Sequence, residues 1–313
     1  MKIITSTGKE DIAMVYLAEM QNEKFIEFVE SLQPPLPIEK KWVLIVSTMF
    51  GCPVGCLMCD AGGHFKGKLT SDEILTQIDF LIRKRFPDGY VPSEKFKIQF
   101  SRMGEPALNL EVINTLRTLP NCYDAKGLIP SISTVAPAGC DRFFEDLLLI
   151  KKEKYSNGKF QLQFSIHTTD IALRDVIVPI KKWDFSKIAE YGEEFYEHDD
   201  RKITLNFALA KDMPLDPGIL SKYFSPEKFL IKITPVNPTY RAVKNHLFSY
   251  INPSKSDASY QILDEIISAG YEVITSIGNI EENYIGSNCG QYVNMHLTSK
   301  ERIEEGYKYI EKD

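Results

Sequence analysis

No run of about 18 apolar residues occurs in the 313-residue sequence, and its start lacks the basic, apolar and small-residue pattern of a secretory leader. A membrane-spanning helix is excluded on that pattern, and the cytoplasm is the expected location. Charge of one sign is also lacking. With 43 acidic against 37 basic residues and a net charge of −6, no overall field draws in a polyanion. Lys40, Lys41, Lys66 and Lys68 make a local basic cluster, which reads as an ordinary solvated surface of mixed charge. From about Asn252 onward nothing resembles an internal repeat.

Cysteine is sparse and unevenly placed. Of six, only Cys52, Cys56 and Cys59 cluster, while Cys122, Cys140 and Cys289 stand apart. That distribution fits a reducing compartment better than a disulfide framework. A second short Cys/His pair is also wanting, which argues against structural zinc; His64, five residues past the triplet, is the nearest imidazole that could complete such a site.

What is present is an ordinary globular composition, 43% hydrophobic and 26% charged, long enough for a large core. Residues 2–6, 11–19 and 24–31 alternate partly and predict two or three short strands, although a short helix also fits. Gln33-Pro34-Pro35-Leu36-Pro37 ends them with a stiff connector. Trp42–Val46 then reads as a parallel strand covered on both faces, followed by the cysteine loop and a capping box at Thr70-Ser71-Asp72-Glu73 that opens a helix to about Arg83.

Strands at Lys95–Ser101, Leu128–Thr134, Phe160–His167, Lys202–Leu209 and Phe229–Thr234 alternate with helices at Leu108–Leu119, Asp141–Ile150, Phe185–Glu194 and Pro217–Tyr223. Such alternation predicts an α/β fold, a parallel sheet curled into part of a barrel, with chemistry on the loops at the carboxyl ends of the strands. A helix over Tyr260–Ser268, a strand over Tyr271–Thr275, a loop carrying Cys289 and a helix with Ile303, Tyr307 and Ile310 on one face complete the chain. The expected division is a β-rich extension over 1–40, a core barrel over 41–250 and a C-terminal segment over 251–313.

The spacing C-x3-C-x2-C at Cys52, Cys56 and Cys59 reaches three corners of an iron-sulfur cube and leaves the fourth iron open to a small chelating molecule. The triplet resembles the cluster motif of the radical S-adenosylmethionine (SAM) superfamily, with Met58 where an aromatic residue is frequent. Met103-Gly104-Glu105-Pro106, one strand later, resembles the Gly-Gly-Glu-Pro element of that superfamily.

Further words follow in order: Ile132-Ser133-Thr134, Phe164-Ser165-Ile166-His167, Leu173-Arg174-Asp175 with Val178-Pro179-Ile180, Thr234-Pro235-Val236-Asn237-Pro238, and Cys289-Gly290-Gln291. Their succession across residues 42–292 is similar to the RlmN/Cfr-type adenine methyltransferases of 23S ribosomal RNA.

The resemblance implies a partial (β/α)6 TIM-like barrel holding a [4Fe-4S] cluster on Cys52, Cys56 and Cys59, with SAM reductively cleaved to a 5'-deoxyadenosyl radical. Gly104 and Glu105 would face the amino group of SAM; Ser133, Ser165, Ile166, His167 and Asn237 would line its ribose, adenine and carboxylate. Cys289 would be the catalytic thiol that accepts a methyl group from one SAM, its ionisation helped by a nearby lysine or by the cluster. A reducing donor such as flavodoxin or ferredoxin is implied as partner.

Two departures bear on the substrate. Ile45 stands where the family carries a second cysteine on strand one, and nothing in the local sequence marks Cys122 or Cys140 as its replacement. Only some 40 residues, acidic in balance, precede the first core strand, where the family has a basic RNA-handling domain. A small molecule is therefore a candidate substrate beside a nucleic acid. Direct hydrogen abstraction without a methyl-cysteine, and a non-catalytic iron-sulfur module, are the alternative activities.

Overall fold

Residues 1–21, 23–252, 260–278, 280–288 and 292–299 are described by the structure, a computed structural model. In chain order the elements are β1 (Lys2–Lys9), β2 (Ala13–Glu19), β3 (Phe25–Ser31), β4 (Lys41–Val46), β5 (Met49–Phe50), β6 (Gly67–Lys68), α1 (Ser71–Arg85), β7 (Lys95–Phe100), α2 (Glu111–Thr118), β8 (Leu128–Thr134), α3 (Asp141–Lys154), β9 (Gln161–Ser165), α4 (Ile171–Ile177), α5 (Phe185–Phe195), β10 (Ile203–Leu209), α6 (Pro217–Tyr223), β11 (Phe229–Pro235), α7 (Tyr240–Lys244), α8 (Gln261–Ser268), β12 (Val273–Thr275), α9 (Ile280–Ile285) and α10 (Tyr292–Ser299). Among the described residues no helix is long and apolar enough to cross a membrane.

Ten of these strands form one sheet in the order β1-β2-β3-β4-β7-β8-β9-β10-β11-β12. The pairings β1 to β4 are antiparallel, and from β4 onward every pairing is parallel. The expected partial barrel is thus present, and β12 adds a short seventh parallel strand to the six. The N-terminal residues are strands rather than helix. They extend the same sheet, because β3 pairs with β4 at Val29↔Ile45 and Ser31↔Val43.

Side chains alternate across the barrel strands. Phe96, Ile98, Phe100, Phe164, Phe207 and Ile231 point outward and are fully buried, packed with residues of the surrounding helices in one core. The inward face corrects the reading of strand one as covered on both sides: Ile45 lines an open lumen, as do Gln99, Ser131 and Gln163 on neighbouring strands. A parallel sheet with two covered faces shows near-continuous apolar strands, and the polar alternation here marks a face turned to a cavity.

Local details also differ from the sequence reading. The helix expected over Leu108–Leu119 is broken into a 3-10 turn at Pro106–Leu108 and α2, because Asn109 is extended and its side-chain amide donates to the carbonyls of Thr48 and Leu69. The capping box at Thr70 and Glu73 forms as read. The C-terminal helix expected around Ile303, Tyr307 and Ile310 lies outside the described residues.

A second apolar cluster joins the two ends of the chain. Val15, Leu17 and Val29 of the extension pack with Ile285, Tyr292 and Val293 of the C-terminal segment, bordered by Met103, Cys52 and Cys59. The extension and the C-terminal segment therefore close the barrel beside the cysteine loop.

Candidate active site

The cysteine loop is shaped by backbone pairing at its base. β5 and β6 pair antiparallel at Met49↔Lys68 and Phe50↔Gly67, so residues 51–66 return to their starting point. Inside the loop the Cys52 amide donates to Ala61 O at 2.8 Å and the Cys59 amide to Cys56 O at 3.2 Å. Gly62 passes so close to Gly55 that a Cβ on Gly62 would lie 2.8 Å from the Gly55 Cα. Only glycine tolerates that approach.

A distant segment clasps the loop from outside. Asp60 accepts from the backbone amides of Tyr240 (3.0 Å) and Arg241 (2.9 Å) at the start of α7. In return the Thr239 hydroxyl donates to Met58 O, the Arg241 guanidinium to Gly55 O and the Asn245 amide to Leu57 O, at 2.8, 2.8 and 3.0 Å. These residues were missed in the sequence because they are single polar side chains some 180 positions from the cysteines. The spacing of Asp60, adjacent to Cys59, was the only signal available.

Cys52, Cys56 and Cys59 line one wall of a cavity of about 330 Å³ in the barrel lumen. Burial pushes the Cys52 thiol up to about 12, with Cys59 adding to it; burial and then the other two cysteines push Cys56 well above the usual thiol range. Burial disfavours ionisation of the Cys52 and Cys56 thiols, which suits a group that brings its own positive charge. Among the described residues no three His, Cys, Asp or Glu side chains converge tightly enough for a single metal ion. A cube, whose thiolates bind separate irons, does not need such convergence. His64 lies apart, exposed on a small pocket with Phe50 and Lys66, and does not complete a zinc site.

Glu105 borders the same cavity. Its carboxylate accepts from the Thr134 hydroxyl, the Val135 amide (2.9 Å) and the Ala107 amide (3.1 Å). Those donors occupy three of roughly four acceptor positions on a carboxylate, which leaves one for a ligand. Burial raises its pKa to about 7 despite the three donors, so a cationic ligand group would stabilise its charged form.

Gly104 sits beside it at φ +101°, where a Cβ would lie 2.7 Å from both Met49 Cβ and Thr48 Oγ1. Gly104→Ala combines a left-handed backbone with a clash, and is expected to destabilise the fold by about 1–3 kcal/mol. Urea denaturation checks this, and a variant as stable as the parent would refute the role given to this glycine.

Ser133, Ser165, His167 and Asn237 also line the cavity. His167 turns the chain after β9 at φ +68°, and its Nδ1 accepts from the Ala208 amide at 3.1 Å. Burial, then Arg174, lowers its pKa to about 4, so the ring is neutral at pH 7 with its proton on Nε2. The Ser133 hydroxyl accepts from Gln163 Nε2 at 3.2 Å, while the buried Oδ1 atoms of Asn206 and Asn237 have no hydrogen-bond partner. Both residues border the cavity, so the two unpaired oxygens are buried at its wall.

Ile166 differs from the other expected site residues. Its side chain is fully buried in the hydrophobic core and does not line the cavity, because its position on the alternating strand points outward. Ile45 does line it, with no cysteine beside it other than the three of the loop among the described residues. Cys122 is near the end of α2 and Cys140 caps α3, both away from the cavity lining. Cys289 lies outside the described residues.

A partial parallel barrel with three thiols, a Gly-Glu turn and neutral polar side chains at the carboxyl ends of its strands has the architecture of the radical SAM superfamily. The comparisons with known proteins agree. No protein-family model matches the chain. It is 28% identical over 247 residues to the probable dual-specificity RNA methyltransferase RlmN of Thermus thermophilus, covering 75% of this chain and 64% of that protein.

The RlmN of Pseudothermotoga lettingae is 27% identical over 263 residues, 82% of this chain and 70% of that one. The crystal structure of a radical SAM methyltransferase from Sphaerobacter thermophilus superposes with a TM-score of 0.70 at 20% identity, over 93% of this chain and 80% of that chain. The chain thus has the radical SAM fold and resembles the RlmN-type enzymes, while it spans just under two-thirds of the length of the Thermus relative.

Proposed function

We propose that the protein is a radical SAM enzyme of the methyltransferase kind, working in the cytoplasm with a reduced flavodoxin or ferredoxin as electron donor. The observation that carries this reading is the convergence of three loop thiols, the Gly104-Glu105 turn and the orphaned Asn237 oxygen on one cavity. Cys52, Cys56 and Cys59 would hold a [4Fe-4S] cluster, and SAM would occupy the cavity beside it. When bound, these supply a one-electron cleavage of the SAM sulfonium to a 5'-deoxyadenosyl radical.

The protein's own groups bind and orient. Glu105 accepts from the amino group of SAM through its remaining lone pair, and Ser133, Ser165, His167 and Asn237 meet its ribose, adenine and carboxylate. The neutral His167 ring offers Nε2–H as a donor without adding charge next to the cluster. Cys289 takes the methyl group from one SAM as a thiolate, releasing S-adenosylhomocysteine.

A second reading is favoured by Ile45, whose aliphatic side chain stands in the lumen where the RlmN type resolves its adduct with a cysteine. In that reading the radical abstracts hydrogen directly and no methyl-cysteine forms. Product analysis of SAM after anaerobic reconstitution and reduction separates the two. S-adenosylhomocysteine with 5'-deoxyadenosine is the result expected for methyl transfer through Cys289, 5'-deoxyadenosine alone supports direct abstraction, and neither product refutes both.

A further inference from the structure

The basic cluster read from the sequence divides in the structure. Lys40 pairs with Glu94 and Lys41 bonds to Gln33 at the amino end of β4, so these two do not belong to a free solvated patch. Lys66 and Lys68 stand at the other end, where β6 closes the cysteine loop. The six residues of β4, about 20 Å of strand, separate the two pairs. Lys66 and Lys68 are exposed beside His64 and Phe65, and Phe65 is 44% exposed although apolar.

A second exposed stretch adjoins this one. Tyr240, Val243 and Lys244 stand at positions i, i+3 and i+4 of α7 and share one face, with Tyr240 59% and Val243 51% exposed. Ala242 is buried on the inner side, while Arg241 and Asn245 reach the cysteine loop at Gly55 O and Leu57 O. Arg241 joins the two stretches, because its Nη1 lies 3.6 Å from where a Cβ on Gly63 would stand, two residues before Phe65. Phe65, Tyr240, Val243 and Lys244 lie outside the lining of the thiol cavity. Three large apolar side chains set among cations form a patch of the kind that marks a contact surface.

Its charge specifies the partner. Residues 51–70 and 236–250 carry Lys66, Lys68, Arg241 and Lys244, and their one acidic residue, Asp60, is 2% exposed and accepts from the Tyr240 and Arg241 amides. On a chain of net charge −6 this is a local field of opposite sign, which attracts and orients an acidic protein. We propose that this face, formed by the exposed part of the cysteine loop and α7, docks a small acidic electron-transfer protein that reduces the cluster. The docking face rests on the radical SAM reading for where the electron goes: one electron leaves the reduced cofactor of the donor, which is oxidised, and enters the cluster, which is reduced. Electron transfer slows steeply with distance, and α7 puts only one helix thickness, about 10 Å, between a docked protein and the loop that bears the thiols. A nucleic acid shares the negative charge, but as a substrate it has to enter the cavity, and these residues lie outside its lining.

The test is titration calorimetry of the anaerobically reconstituted full chain, with flavodoxin in one series and ferredoxin in another. Saturable binding of at least one is expected, weakened at least tenfold by raised salt and by the double variant Lys66→Glu with Lys244→Glu. Both lysines are exposed, so the double variant should keep its fold, its iron content and the SAM cleavage driven by dithionite, which needs no docking face. Cleavage driven by the reduced protein donor should fall together with its binding.

Absence of saturable binding for both proteins, binding unchanged in the double variant, or an equal loss of dithionite-driven cleavage would overturn the proposal. Saturable binding of a single-stranded oligouridylate, lost in the double variant while neither redox protein binds, would make the face a nucleic-acid surface and overturn it too. Failure of the radical SAM reading shows differently. A redox protein would still bind the parent and not the double variant, while neither it nor dithionite would yield 5'-deoxyadenosine.

Discussion

Cys56→Ala is expected to abolish reductive cleavage of SAM and to leave the reconstituted chain short of a full iron complement, with the fold retained. Cys56 borders an apolar cluster of Val54, Val135, Ile177 and Val178, so alanine keeps a small apolar side chain there. What it removes is one of three thiols that face the same cavity, and no other cysteine among the described lining residues can take its place. In the proposed cluster three ligands would already leave one iron open, and a second open iron would make the cube labile. Iron and sulfide analysis with product chromatography measures the loss; Cys122→Ala and Cys140→Ala, outside the cavity lining, should behave as the parent. A Cys56→Ala protein with full cluster and full SAM cleavage would remove the basis of the assignment.

Arg102→Met should be the most destabilising single change outside the cysteine loop. Arg102 is 1% exposed and pairs with Glu27, 0% exposed, at 2.8 Å. Its Nη1 donates to the carbonyls of Gly286 (3.0 Å) and Ser287 (2.8 Å), and Glu27 accepts in addition from the Val293 amide at 3.0 Å. One guanidinium thus ties the N-terminal extension, the turn after β7 and the C-terminal segment together.

Methionine in its place leaves a buried carboxylate without its cation, for which about 3–5 kcal/mol is the usual cost. Chemical denaturation should show a loss of that size, and hydrogen exchange at Val293 should accelerate. Exchanging both partners for apolar residues, Arg102→Met with Glu27→Leu, should recover part of it. Ser287 is two residues before Cys289 in sequence, so the anchored stretch is the one that leads to the proposed methyl carrier. A loss below about 1 kcal/mol in the single variant would show that the pair is not what fastens the segment.

Much of the barrel was readable because its signals are local. Strand alternation with helices, the Thr70–Glu73 capping box and the C-x3-C-x2-C triplet each lie within a few residues of chain. Alternation also carried information that the apolar run Trp42–Val46 obscured: KFKIQF and QLQFS place a polar residue at every second position, which in a parallel sheet means a lined lumen. Ile166 went the other way. It adjoins Ser165 and His167 in a recognisable word, yet the two-residue period of the strand turns it into the core.

The order of elements, the helix starts and the cysteine loop follow from short-range chemistry, since backbone propensities, caps and ligand spacing act between neighbours. Tertiary packing alone decided the rest: that Asp60 meets α7, that Lys97 and Lys232 share one cavity, and that Arg102 bridges the two ends of the chain. Each of these joins residues tens to hundreds of positions apart, where a lone charged side chain leaves no periodic trace and acquires meaning only from what the fold sets against it.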